Sequence, residues 1–211
     1  MRYWKPFVEE TIKNVIAWQP TEVILLPLYP QFSTTTSGSS FLSWKKAAKK
    51  NKYNVKTKIV CCYPEDENFI LAHTKNIQNT LNKIKKNKKQ KTKLLFSAHG
   101  LPEKIIKKGD PYQNQIEKTV NKILKNMNNQ EFSHTICYQS KVGPLKWIGP
   151  STEDEIIKSS KNKDTIVLIP IAFVSEHSET LVELDIEYKE VAILNGCDNY
   201  YRAVSYTHLR A

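Results

Sequence analysis

The chain of 211 residues has six glycines, four cysteines and three arginines, Arg2, Arg202 and Arg210. Each scarcity excludes something. No glycine trio of the dinucleotide-binding type and no Walker lysine occurs, which argues against a nucleotide loop. Cys61, Cys62, Cys137 and Cys197 form no C-x-x-C pair, and an adjacent pair does not easily bond to itself, so a reducing compartment is expected rather than a disulfide scaffold. No apolar run approaches the roughly 20 residues of a membrane span. The N-terminus carries neither a secretory nor a transit pattern. A cytoplasmic location is expected, with peripheral membrane contact as the one route to a lipid surface.

The scarcity of arginine also bears on charge. A net charge of +11 points first to nucleic acid or an anionic membrane. Almost all of it is lysine, whereas base readout and bidentate phosphate recognition favour the planar guanidinium. The lysine runs over 45–52 and 83–93 read as solvated helix faces, and no nucleic-acid partner is expected. What is present is ordinary globular material, 40% hydrophobic and 25% charged. A chain of this size buries roughly 70% of its unfolded surface without staples.

The spacing of apolar residues predicts a helix from Pro6 to Gln19 and then a βα alternation. Strand-length runs fall at 22–28, 55–62, 93–97, 134–138 and 165–171, separated by helical segments at 40–50, 66–86, 112–127 and 153–161. Several runs are unbroken and apolar, as for strands buried on both faces, so the fold class is α/β with parallel sheets flanked by helices. A composition shift over 87–92 places a boundary between two lobes, 1–88 and 89–203.

In open α/β sheets ligands sit beyond the carboxyl ends of the strands. Four segments there carry chemistry. The first is PLYPQ, with Tyr29, followed by hydroxyl-rich TTTSGSS, either an N-cap and turn or an anion rest. The second is SAHGLP, which puts His99 at a strand terminus, with GDPY opening the next helix. Its imidazole is either structural or a proton acceptor or metal ligand. The third, YQSKVGP and then WIGP, holds Ser140 and Trp147; the indole either packs the loop or stacks on a flat ligand. The fourth is SEHSETLVELDIEY. At 100° per residue Glu176, Glu179, Glu183 and Glu187 share one arc, with His177 at its start, a row suited to protons or a cation.

In order and together, these four segments resemble the ferrochelatases, which insert ferrous iron into a porphyrin to make haem. The resemblance implies two Rossmann-like lobes with the porphyrin in the cleft between them. It implies His99 and Glu179 as catalytic residues, and His99, Glu179, Glu176, His177 and Glu183 as metal or proton-path residues. Arg2, Tyr3, Tyr29, Ser140 and Trp147 match positions lining or closing the porphyrin pocket. Two pyrrole protons must leave as iron enters, so the chemistry asks for a base at one face of the macrocycle and a hydrated-metal route at the other. Iron is then a substrate and no prosthetic group is implied. The alternative is a non-catalytic tetrapyrrole- or anion-binding fragment of the same fold.

Two departures qualify the match. The family has a βα segment upstream of the MRY motif at which this chain starts, so the first lobe is expected to be incomplete, with a bare sheet edge and fast amide exchange. Residues 204–211 leave the family pattern and are expected to be a non-native tail. Some relatives hold an iron–sulfur cluster with a loop cysteine after PLYPQ; here that loop carries Thr34 to Thr36, and no cluster is expected. The choice between protoporphyrin IX and coproporphyrin III, and the oligomeric state, stay open.

Overall fold

A computed structural model describes residues 5–84, 91–128 and 132–205. Its Cα atoms gather into two units, Met1–Tyr63 and Pro64–Ala211. The expected lobe boundary at 88/89 lies outside the described residues, and the units divide earlier. Helix α3, which the composition shift had assigned to the first lobe, packs on α5 of the second.

In the first unit α1 spans Val8–Trp18, opened by Glu10, whose carboxylate accepts the Phe7 N–H at 3.2 Å, and closed by Gln19 in the left-handed region at φ 53°. Strand β1 (Glu22–Leu25) pairs in parallel with β2 (Lys56–Ile59), Glu22 opposite Lys56. β1 ends before its expected limit, because Pro27 has no N–H to give a ladder. The hydroxyl-rich segment Thr34–Gly38 is π-helical: the Gly38 N–H reaches back five residues to the Ser33 carbonyl at 3.0 Å, and Ser33 Oγ accepts the Thr35 N–H at 3.1 Å. It leads directly into α2 (Ser39–Lys50). Contrary to the expectation of strands buried on both faces, all four residues of β2 are exposed, and so is Ile24. Lys58 and Lys56 reach Glu22 at 2.9 and 3.6 Å across one wet face, and Thr57 and Ile59 are exposed on the other.

The second unit opens with α3 (Glu67–Leu81), capped by Asp66 accepting the Phe69 N–H at 3.0 Å. Strand β3 (Thr92–His99) is followed by α4 (Glu103–Lys107), α5 (Tyr112–Met127) and β4 (Ser133–Gln139). Then come α6 (Thr152–Lys161) and β5 (Thr165–Pro170), a second π-helical segment (Glu179–Glu187), α7 (Tyr188–Leu194) and β6 (Tyr200–Arg202). The sheet is all parallel in the order β4-β3-β5-β6. Every residue of β5 is buried, as the unbroken run TIVLIP requires. Leu95, Cys137, Ile156, Ile166, Leu168, Leu184 and Tyr188 form one core beneath α6 and α7. Burial of this kind is worth about 1.5–3 kcal/mol per large apolar side chain.

The chain leaves β3 for β4 on one side and returns to β5 on the other. The carboxyl end of β3 is thus a topological switch point, where an open sheet offers a crevice. Val204 and Ser205, assigned from the sequence to a non-native tail, are tied into this unit: the Asn76 amide donates to the Val204 carbonyl at 3.1 Å, and the Ser205 N–H to Glu176 at 2.7 Å. The remainder of that tail lies outside the described residues.

Amide exchange should separate the two sheets. The fully buried β5 is expected to exchange only through global opening and the exposed β2 through local opening, at least about tenfold faster. Mass-resolved exchange of the intact chain measures both, and equal rates would contradict the burial pattern.

Candidate active site

Two strand ends and the second π-helical segment build the site within the second unit. The β3–β4 register sets His99 beside Gln139 at the two carboxyl ends. Gly100 follows, its N–H donating to the Gln139 carbonyl at 2.9 Å. A Cβ there would come within 3.0 Å of that carbonyl oxygen and 3.1 Å of the Trp147 ring, so the close turn needs glycine. Beyond β4, Ser140 adopts a left-handed φ of 60°, which turns its N–H and hydroxyl toward the π-helical segment.

The centre is the pair of His99 and Glu179. Nδ1 of His99 lies 2.8 Å from Oε1 of Glu179, with the two side chains 45% and 24% exposed. The same oxygen accepts from Gln139 Nε2 at 2.8 Å and lies 3.1 Å from Ser140 Oγ; Oε2 takes none of these three contacts. Glu183 accepts the Ser140 N–H at 3.0 Å and the Tyr188 hydroxyl at 3.0 Å on Oε1, and Ser140 Oγ at 2.7 Å on Oε2. One hydroxyl proton therefore stands between two carboxylates, with the shorter contact to Glu183.

Gln139 is held in turn. It is buried, and its carbonyl accepts from the buried Ser97 hydroxyl, which itself lies 2.8 Å from the Thr152 hydroxyl. Since the Ser97 proton is committed to Gln139, Thr152 donates to Ser97. The chain of hydroxyls fixes the amide so that its NH₂ faces Glu179. Tyr112, which burial keeps protonated by pushing its hydroxyl far up, donates to the His99 carbonyl at 3.1 Å.

The hydrogen bond to Glu179 raises the His99 pKa, more than burial lowers it, and the charges of Glu179 and Glu183 add to the rise. Burial pushes the Glu179 carboxyl up, but His99, through its hydrogen bond and its charge, and then the hydrogen bonds of Gln139 and Ser140 outweigh it and hold the carboxyl below its usual range. The arrangement is a carboxylate–imidazole pair with Nδ1–H on the carboxylate and Nε2 directed away from it.

The expected row of four carboxylates on one arc is not what forms. The segment is π-helical, with the Tyr188 N–H reaching the Glu183 carbonyl five residues back, so 100° per residue does not apply. Only Glu179 and Glu183 stand together. Glu176 turns to Arg202, 3.0 Å away. Burial raises its pKa, but Thr180, Ser205 and Arg202 outweigh that and leave it lowered. Glu187 is exposed. His177 caps the segment: its Nδ1 accepts the Glu179 N–H at 3.2 Å, and its ring meets Phe173 edge-on at 4.6 Å. Among the described residues no three His, Cys, Asp or Glu side chains converge as a metal cage. His99 and Glu179 are hydrogen-bonded partners and form one joint group.

Trp147 has the contacts of a loop-packing residue, with its ring against Gly100 and its indole N–H donating to the Val142 carbonyl at 3.1 Å. Tyr29 belongs to the first unit, 46% exposed, beside a groove of about 320 Å³ lined by Val8, Ile24, Leu26, Pro27, Phe41 and Trp44. Arg2 and Tyr3 lie outside the described residues. Gln139, Tyr188 and Arg202 were missed from the sequence; position at a strand's carboxyl end was the available signal for Gln139, and rarity in a lysine-rich chain the one for Arg202.

The paired shifts set a pH window for stability. A raised His99 stabilises the fold fully below the ordinary 6.5 of histidine, and this is lost as pH rises through its folded value. A lowered Glu179 does so above 4.5, lost as pH falls through its folded value. A double-mutant cycle of His99→Ala and Glu179→Gln, read by thermal melting, should show coupling strongest between these limits. A pH-independent coupling would mean the pair is not ionised.

The ferrochelatase family profile matches residues 1–208. The ferrochelatase of Pelagibacter ubique (strain HTCC1062) is 61% identical over 203 residues, 96% of this chain and 57% of that protein. That of Rickettsia bellii (strain OSU 85-389) is 54% identical over 192 residues, 91% of this chain and 52% of its own. That of Caulobacter vibrioides is 51% identical over 202 residues, 96% and 56%. The chain thus spans a little over half the length of these curated relatives. Among solved structures, SirB from Bacillus subtilis with Fe3+ superposes with a TM-score of 0.64 at 11% identity, over 96% of this chain and 71% of that one, which speaks to the fold. With the motifs in order, a family match from end to end of the described residues and relatives above 50% identity, the chain belongs to the ferrochelatase family.

Proposed function

We propose that this chain carries the reactive centre for inserting Fe2+ into a porphyrin, protoporphyrin IX or coproporphyrin III, with release of two pyrrole protons. The observation that carries this reading is the Glu179-bound imidazole of His99, whose second nitrogen, Nε2, is directed away from the carboxylate and available to a substrate. Insertion replaces two N–H bonds by bonds to the metal, so two protons leave as the dication enters and the product is neutral at its centre. A base must take each proton while the ring is held.

In this reading Nε2 of His99 accepts a pyrrole proton. Glu179 keeps Nδ1–H in place and stabilises the imidazolium, as a carboxylate behind a histidine does elsewhere. A proton that reaches Glu179 passes on when Ser140 Oγ accepts it and gives its own to Glu183 Oε2, 2.7 Å away. Iron is a substrate, met at the open side of the pair, and His177 and Glu176 support the segment rather than ligate. Porphyrin contact at Ser140, on the loop that Trp147 packs, is part of the same proposal, as is a cytoplasmic setting with peripheral membrane contact. The reading includes no prosthetic group.

The test is metallation in the full-length protein that contains this chain, followed by collapse of the free-base absorbance. His99→Ala should lower turnover by about 10²-fold or more while porphyrin affinity stays within about tenfold. A shifted but uncollapsed spectrum in the unmodified protein would favour a tetrapyrrole-binding role instead.

The pH profile tests the pair itself. Because His99 must be neutral to accept a proton and its pKa is raised, the acid limb of kcat/KM should lie above 6.5. Glu179→Gln removes the largest cause of the rise and should move that limb down while lowering the plateau. An unmoved limb would assign it to another group.

A further inference from the structure

The second π-helical segment is gripped from outside at a point the proposed chemistry does not use. Arg202, the last residue of β6, has a side chain only 6% exposed. Its Nε and Nη2 donate to the two oxygens of Asp185 at 2.6 and 2.7 Å, and its Nη1 to Glu176 Oε1 at 3.0 Å. Two residues earlier on the same strand the Tyr200 hydroxyl donates to the Leu184 carbonyl at 2.6 Å. β6 therefore holds the segment at two successive residues, once by backbone and once by a two-pronged ion pair. The strand cannot slide, because Tyr201 and Arg202 are registered against Val167 and Leu168 of the fully buried β5.

We infer that Arg202 is a positioning residue, which fixes the register of the π-helical segment through Asp185 and Glu176 and so sets where Glu179 and Glu183 meet His99 and Ser140. The two anchors bracket the reactive carboxylates in sequence, Glu176 three residues before Glu179 and Asp185 two after Glu183. A π turn is an uncommon backbone state that α-helical hydrogen bonding would replace if nothing opposed it. Sliding the segment by one residue toward α-helical bonding would carry Asp185 off the guanidinium and the Leu184 carbonyl off Tyr200. A buried ion pair is a weak source of stability, and its best-attested use is to specify register. The planar fork matters: lysine offers one point charge and cannot grip both oxygens of Asp185 while holding Glu176.

The catalytic arm of the test rests on the iron-insertion reading; the structural arm does not. In the intact chain, Arg202→Ala should speed amide exchange over 179–187 by about tenfold or more while β3 and β5 keep their rates. Guanidinium ion at sub-denaturing concentration should restore the slow exchange by filling the vacated place, and sodium chloride at equal ionic strength should not. Acceleration spread over β3 and β5, no acceleration at all, or rescue by salt alone would each overturn the inference. Should Arg202→Ala not fold, Asp185→Asn, which breaks the fork at its more exposed end, must give the same localised acceleration, and its absence overturns the inference equally.

In the full-length protein Arg202→Ala should lower kcat about tenfold with KM for porphyrin unchanged, with recovery by guanidinium but not in Arg202→Lys. Full recovery in Arg202→Lys would overturn the role given to the fork. Failure of the unmodified protein to insert iron would count against the function alone, and the exchange pattern would still decide the register.

Discussion

The 2.8 Å hydrogen bond between His99 Nδ1 and Glu179 Oε1 joins residues 80 positions apart, and the geometry around it has to be right on both sides. On the imidazole side β3 must run through His99, beyond the expected end at Ser97, and Gly100 must turn without a Cβ. On the carboxylate side the backbone must widen into a π turn, so that Glu179 and Glu183 reach the end of β4 together. The parallel sheet supplies the frame. With β3 between β4 and β5, the end of β3 delivers His99, the end of β4 delivers Gln139 and Ser140, and the π-helical segment that follows β5 brings the carboxylates.

Much of the fold was legible because buried parallel strands leave an unambiguous trace. TIVLIP and KLLFSAH have no polar alternation to mistake for a half-wet strand, and the helices around them carry their own start signals: Asp66 and Ser151 cap α3 and α6, and Asp110 accepts the first N–H of α5. The order of the site residues was legible for the same reason, since chemistry follows the strand ends. The π geometry was not. A repeat of four carboxylates fits an α-helical arc as well as a wider turn, and what selects between them is tertiary: the grip of Tyr200 and Arg202 on 184 and 185. Nor was the unit boundary. The lysine-rich stretch near 88 marks solvated chain, whereas compactness is decided by where α3 packs, and its buried face (Phe69, Ile70, His73, Ile77) belongs with α5.

Gln139 escaped notice for a chemical reason. A neutral amide has no titration of its own and enters only by what it orders. Here it converts a buried chain of hydroxyls, Thr152 and Ser97, into a fixed donor aimed at Glu179. With Oε1 taken by the Ser97 hydroxyl, the NH₂ alone is left to face Glu179. Burial of three polar side chains in the core edge is costly unless each is satisfied, and in this chain each is.

The charge balance of the site follows from a shortage of protons to share. Glu179 and Glu183 flank a single serine hydroxyl, and like charges so placed would normally force one carboxyl to stay protonated. The conflict is avoided by feeding them from different sides. Glu179 takes His99 and Gln139; Glu183 takes the Ser140 N–H, the Ser140 hydroxyl and Tyr188. The Ser140 hydroxyl stands between them, 2.7 Å from Glu183 Oε2 and 3.1 Å from Glu179 Oε1. A proton arriving at Glu179 then has an acceptor at 3.1 Å and an onward path at 2.7 Å without any heavy atom moving far. The same count explains why Glu176 and Glu187 play no part in that exchange. The first spends its charge on Arg202, the second faces water, and a relay of four reduces to a pair with an anchor behind it.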